Sequence, residues 1–138
     1  MNQNVKTASE LFTRGLYCSQ AVLGAFSKKY DMEEKLALRI SCGLNSGVRC
    51  SEVCGAVSGA ILVIGLKYGD VSSVCNVKTE EYIQAFKDLN GSIVCRDILG
   101  LDISTPDGKE KAVNENLFKT RCLDMVRDAV QLLVHLGY

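Results

Sequence analysis

The sequence predicts an all-α fold, a single-domain bundle of about five to seven helices spanning residues 1–138. Three observations carry this reading. Apolar residues recur at intervals of three and four almost throughout. No stretch alternates apolar and polar residues up to a two-residue turn, so strands find no support. The chain also holds one proline and 12 glycines, with no repeat, low-complexity stretch or linker to divide it.

Taken in order, Val5, Ala8, Leu11 and Phe12 outline a first short helix that breaks near Gly15. Cys18, Ala21, Val22, Ala25 and Phe26 mark a second, with Lys28 and Lys29 in its last turn. Asp31, followed three residues later by Glu34, has the form of a capping box opening a third helix through Ile40. Cys42 to Cys50 reads as a glycine-containing loop. Ser51 is placed to cap the next helix, which runs through an apolar stretch to about Tyr68 and ends at Gly69. After a loop carrying Cys75 comes a helix marked by Tyr82, Ile83, Phe86 and Leu89, interrupted at Asn90-Gly91-Ser92. Cys95, Ile98 and Leu99 give a short helical turn ending at Gly100. Thr105-Pro106 suits an N-cap with proline at the first helical position. The clearest apolar stripe is the last, from Phe118 through Cys122, Met125, Val126, Ala129, Leu132, Leu133 and Leu136.

The helix after Ser51 is expected to be central and buried, and it carries an energetic puzzle. Gly55, Gly59 and Gly65 inside it cost roughly 1 kcal/mol each relative to alanine. Gly55 and Gly59 share one face. A glycine stripe there lets a second helix backbone approach closely, or leaves room beside Cys54 for a cofactor or partner thiol.

Composition limits the function. Sixteen basic residues balance sixteen acidic ones, which argues against nucleic-acid binding through phosphate neutralisation and against a polybasic membrane surface. The longest uncharged run, Val53 to Leu66, is 14 residues, short of the roughly 18–20 that span a bilayer. Met1 to Glu10 shows neither a basic start nor an apolar stretch. A cytoplasmic location without membrane insertion is therefore expected. Thiols are normally kept reduced there, so the seven cysteines suggest redox-cycling thiols, metal ligands or core residues rather than a disulfide framework.

Cys18, Cys95 and Cys122 fall on apolar stripes, the usual setting of inert core thiols. Cys54 differs. Counted from a Ser51 cap it occupies the third helical position, where the helix dipole favours an anion and would lower its pKa. Arg49 and Arg39 would add to this if they fold nearby, and Cys18 gains the same advantage if its helix begins at Leu16 or Tyr17. Cys42, Cys50 and Cys54 follow one another at spacings of eight and four. That matches neither a paired zinc pattern nor a thioredoxin-like pair, although a three-thiol site in the loop is conceivable. The single histidine, His135, shares the solvent face of the last helix with Gln131 and Asp128, which removes most Cys-His and Ser-His-Asp schemes. The Gly43 to Gly47 loop lacks the lysine-serine ending of a phosphate loop.

Cys54-Gly55-Ala56-Val57-Ser58-Gly59, with the apolar run to Gly65-Leu66-Lys67-Tyr68-Gly69, resembles the signature of the C_GCAxxG_C_C family, small bacterial and archaeal proteins described as redox-active. Cys18-Ser19-Gln20-Ala21-Val22, Cys95-Arg96-Asp97-Ile98-Leu99-Gly100 and Cys122 complete the pattern. The resemblance implies that Cys18, Cys54, Cys95 and Cys122 are the family cysteines and that Cys42, Cys50 and Cys75 are extras. The loop from Leu44 to Cys50 is poorer in glycine than the family's.

Three functions follow as expectations. The first is reversible thiol–disulfide chemistry centred on Cys54, with Cys18 as its first partner, Cys95 and Cys122 as a second pair or relay, and an unknown redox partner. The second is binding of a metal, either zinc or an iron–sulfur cluster, by Cys18, Cys54, Cys95 and Cys122. The third is a helical interaction module, possibly a homodimer, with structural cysteines.

Overall fold

A computed structural model describes residues 1–138. It is all-helical, with eight α-helices: α1 (Gln3–Thr13), α2 (Cys18–Ser27), α3 (Glu34–Ser41), α4 (Gly55–Tyr68), α5 (Ser72–Asn90), α6 (Cys95–Leu99), α7 (Pro106–Asn114) and α8 (Arg121–His135). The expected range of five to seven falls one short, although the sequence marks a segment for each of the eight; the shortest, α6 and α7, bury only two residues and one.

The caps divide by the chemistry available to them. Thr105 accepts from the Gly108 amide at 3.1 Å with Pro106 behind it, as its side chain predicts. Gly91 and Gly100 end α5 and α6 in the left-handed region, at φ 83° and 70°. The capping box at Asp31 does not form: Asp31 itself takes a left-handed φ of 58°, and Glu33 precedes α3 without a side-chain cap. Lys28 and Lys29 belong to a separate 3₁₀ turn rather than to α2. Cys75 lies in the first turn of α5, not in a loop, so α5 begins nearly three turns before Tyr82, the first of the apolar residues that mark it. The last helix starts at Arg121, beyond Phe118.

α2 is the most enveloped element, packing against α1, α3, α4 and α8. Burial on nearly all sides forces its polar groups to find protein partners. The Ser19 hydroxyl donates to the Ser41 carbonyl at 2.7 Å, and the Gln20 amide donates to the Leu38 carbonyl at 2.9 Å. Gln20 also accepts from the Tyr17 amide at 2.9 Å, which fixes the start of α2 at Cys18. α4 lies against α2, α5 and α8, and the Tyr82 hydroxyl ties α5 to the Ala129 carbonyl of α8 at 2.8 Å. A second, smaller apolar cluster gathers Cys95, Leu99, Ile103 and Ala112 at the α6–α7 end.

Candidate functional site

Between these two clusters lies a cavity of about 620 Å³, and Cys18, Cys54, Cys95 and Cys122 all line it. Each reaches it by a different local device. Cys18 is the first residue of α2, set by the Tyr17–Gln20 cap. Cys122 occupies the first turn of α8.

Cys54 and Cys95 are joined by backbone. Val53 pairs with Val94 in an isolated antiparallel bridge. The Cys54 amide donates to the Ile93 carbonyl at 2.7 Å, and the Cys95 amide donates to the Glu52 carbonyl at 2.6 Å. Two cysteines at these positions are diagonal neighbours on one face, with Cα atoms typically about 7–8 Å apart, at or just beyond the roughly 7 Å that a disulfide spans without backbone movement. Arg96 reinforces the junction, reaching the Ser51 carbonyl at 3.2 Å and the Glu52 carboxylate at 2.7 Å. No strand pattern in the sequence announces this bridge, because two residues per side carry no periodicity.

The glycine stripe on α4 divides its work between both expected roles. A Cβ on Gly59 would meet the Ser19 carbonyl oxygen at 2.7 Å, so Gly59 permits the close approach of α2. A Cβ on Gly55 would collide with the Cys18 sulfur, so Gly55 holds open the space that brings Cys18 beside Cys54. Gly65 has nothing within 4 Å of such a Cβ and serves neither role.

Cys54 is the N-cap of α4, and Ser51 is not. Ser51 is instead buried in the loop, where its hydroxyl accepts from the Ile103 amide at 3.3 Å. The Cys54 sulfur faces the Ala56 and Val57 amides, without completing a hydrogen bond to either. These amides and Arg121 favour its thiolate, but burial outweighs them and raises the thiol pKa. The expected lowering is thus reversed: Cys54 is 7% exposed, and loss of hydration costs the anion more than a helix terminus returns. Arg121, rather than Arg39 or Arg49, is the cation that acts on it.

The other three thiols are raised too, and the causes trace their neighbours. Burial raises Cys18, the charges of Cys54 and Cys122 add to it, and the Ser19 and Ser46 amides oppose it. Burial and then Cys54 push Cys95 to about 11, with the Ser51 hydroxyl opposing and Asp102 adding. Burial, Cys54 and Cys95 push Cys122 to about 12 against Arg121. Cys54 is therefore the one sulfur felt by all three others. Their arrangement does not suit a metal, since no group of three or more His, Cys, Asp or Glu side chains is placed to hold one.

Cys42 and Cys50 are exposed and lie outside the cavity, so the three-thiol loop site is not formed. Cys75 is half-buried elsewhere, and His135 is exposed. The loop does contribute in another way. Ser46, Gly47, Val48 and Arg49 form a left-handed turn, with φ between 54° and 64°. It carries Arg49 to the cavity, where the guanidinium donates to Asn45 Oδ1 at 3.0 Å and Ser46 Oγ at 3.3 Å. Lys109 and Lys119 also line the cavity and are exposed. Neither lysine nor Arg121 is singled out by the sequence, although Lys119 and Arg121 stand three residues and one residue before Cys122.

No helix is long and apolar enough to cross a membrane. No curated protein and no solved structure matches the chain. A family described as "Putative redox-active protein (C_GCAxxG_C_C)" matches residues 16–136, which contain all four cavity cysteines, and the chain belongs to that family.

Proposed function

We propose that the protein performs reversible thiol–disulfide exchange in the cavity, with Cys54 as the attacking sulfur. The observation that carries this is the convergence of four sequence-distant cysteines on one cavity, with Cys54 felt electrostatically by each of the rest. In the oxidising direction, Cys54 attacks a disulfide RSSR, forming Cys54–S–S–R and releasing one RSH that carries away the Cys54 proton. A second cysteine then attacks Cys54, releasing the other RSH and leaving a protein disulfide. Cys18 is the first candidate for this step, since Gly55 keeps its sulfur beside the Cys54 segment. Cys95 and Cys122 form a second pair.

The raised thiol pKa values favour one direction of use. Strongly oxidising dithiols owe their potential to a stabilised thiolate in the reduced form. Here burial disfavours that thiolate at every position, so the site suits an electron donor better than a strong oxidant.

Native mass spectrometry with alkylation tests this. After treatment with an organic disulfide, the chain should form an intramolecular bridge that contains Cys54, two thiols being lost to alkylation for each bridge closed. Cys54→Ser should abolish the bridge, whereas removing Cys42, Cys50 and Cys75 together should leave it intact. Serine is a favoured N-cap, so the Cys54→Ser chain keeps its helix start. Four cavity cysteines that remain alkylatable after oxidant treatment would overturn the proposal.

A further inference from the structure

The cavity also specifies what kind of molecule reaches these sulfurs. Cys54 and Cys95 are each 7% exposed, so the flat surface of another folded protein has no route to them, whereas a small molecule entering the cavity does. The volume of about 620 Å³ falls in the usual range for small-molecule sites, roughly 300–1,000 Å³. Thirteen of its 21 lining residues are hydrophobic, including Phe12, Leu16, Ile98 and Phe118.

Its charge is one-sided. Arg49, Lys109 and Lys119 are the charged lining residues, all three are exposed, and no Asp or Glu lines the cavity. The ion pairs of the molecule are Lys78–Glu81 and Glu52–Arg96, so none of these three cations is neutralised by a protein carboxylate. In a chain with no net charge, three cations without a carboxylate partner lining one apolar cavity are a local concentration. Arg49, moreover, is delivered by four successive left-handed residues, a conformation costing roughly 1–2 kcal/mol per non-glycine residue. Backbone strain of this kind clusters at ligand-binding sites.

We propose that the cavity binds a small organic anion with an apolar body, and that the disulfide reduced there is a small organic disulfide acid. The apolar body fills the space between α1, α6 and α8, and the carboxylate rests among Arg49, Lys109 and Lys119. The reaction is the exchange written above, with R bearing the carboxylate. The redox half of this statement rests on the proposed function; the binding half does not.

Two aromatic disulfides of similar shape separate charge from chemistry: dithiobis(nitrobenzoate), a dicarboxylate, and dithiodipyridine, which is uncharged. Both are applied to the chain lacking Cys42, Cys50 and Cys75, so that only cavity thiols report. Combined Lys109→Glu and Lys119→Glu should slow the dicarboxylate by about tenfold or more, the scale of electrostatic steering. The uncharged reagent should change less than about twofold, which also reports an intact cavity. Lys109→Arg with Lys119→Arg should retain the wild-type rate. Equal effects on both reagents, or none on either, would overturn the inference. Calorimetry with decanoate, in which no electrons move, tests binding alone: decanoate should bind the reduced chain and bind more weakly after charge reversal. If dithiodipyridine forms no protein disulfide but decanoate binds this way, the exchange reaction fails and the anion site stands. If the disulfide forms but decanoate does not bind, the anion site fails and the exchange reaction stands.

Discussion

Gly55, Gly59 and Gly65 lie on one helix and look alike in the sequence, yet each meets a different neighbour. Alanine at Gly59 would press against the Ser19 main chain, which cannot move without shifting α2. Overpacking of this kind typically costs about 1–3 kcal/mol. Alanine at Gly55 would press on the Cys18 sulfur and, at 3.1 Å, on the Leu44 carbonyl. Alanine at Gly65 meets nothing and recovers helix propensity, about 1 kcal/mol. Urea denaturation should therefore rank Gly65→Ala above wild type and Gly59→Ala below it. Gly55→Ala should also change the alkylation rate of Cys18 specifically, which a purely structural glycine would not do. Wild-type Cys18 reactivity in Gly55→Ala would show that this glycine does not position the sulfur.

At the scale of elements, the sequence exposes what repeats and hides what does not. α1, α2 and α8 are legible because apolar side chains return every three or four residues and that period is the helix's own, whereas α4 shows as one almost unbroken apolar run. The four cysteines could be selected because they fit a spaced family pattern. The left-handed turn and the Val53–Val94 bridge could not be read, since each is a handful of residues whose conformation is imposed by tertiary contacts. Val48 is the plainest example. A β-branched residue is a poor choice at a φ of 58°, and nothing local calls for it. The start of α4 was misplaced for a related reason: Ser51 is the better cap by propensity, but its hydroxyl is needed by the Ile103 amide. The misfit at Val48 can be measured. Its side chain is 48% exposed, so replacing it loses little packing, and asparagine tolerates the left-handed region. Val48→Asn should stabilise the fold by about 0.5–1 kcal/mol, a rise of a few degrees in Tm. An unchanged or lowered Tm would show that the turn is not strained at this position.

Across the whole molecule, the cavity thiols couple folding to pH. Each has a higher thiol pKa in the folded chain than when unfolded. Cys95 moves from an ordinary 9.0 to about 11, and Cys122 from 9.0 to about 12; Cys18 and Cys54 shift the same way. The unfolded chain then releases these protons first and is favoured as pH rises. The stabilisation is complete below about pH 7.5, where thiols stay protonated in both states, and is lost as pH climbs through the folded values. Between about pH 9 and pH 10 each such thiol should steepen the loss of unfolding free energy toward about 1.4 kcal/mol per pH unit. Tyrosine is half ionised near pH 10 when unfolded, so the raised Tyr30, Tyr82 and Tyr138 add a smaller slope toward the top of the window, and they add it equally to the wild type and to a chain without the cavity cysteines. Urea denaturation under reducing conditions across this range should show a steep fall for the wild type and a much shallower one when the four cavity cysteines are serine. Oxidation, which removes the protons, should flatten the wild-type curve in proportion to the disulfides formed. Equal slopes for wild type and the serine variant would mean that the four sulfurs are hydrated in solution, and the dry pocket on which the exchange chemistry depends would be lost with them.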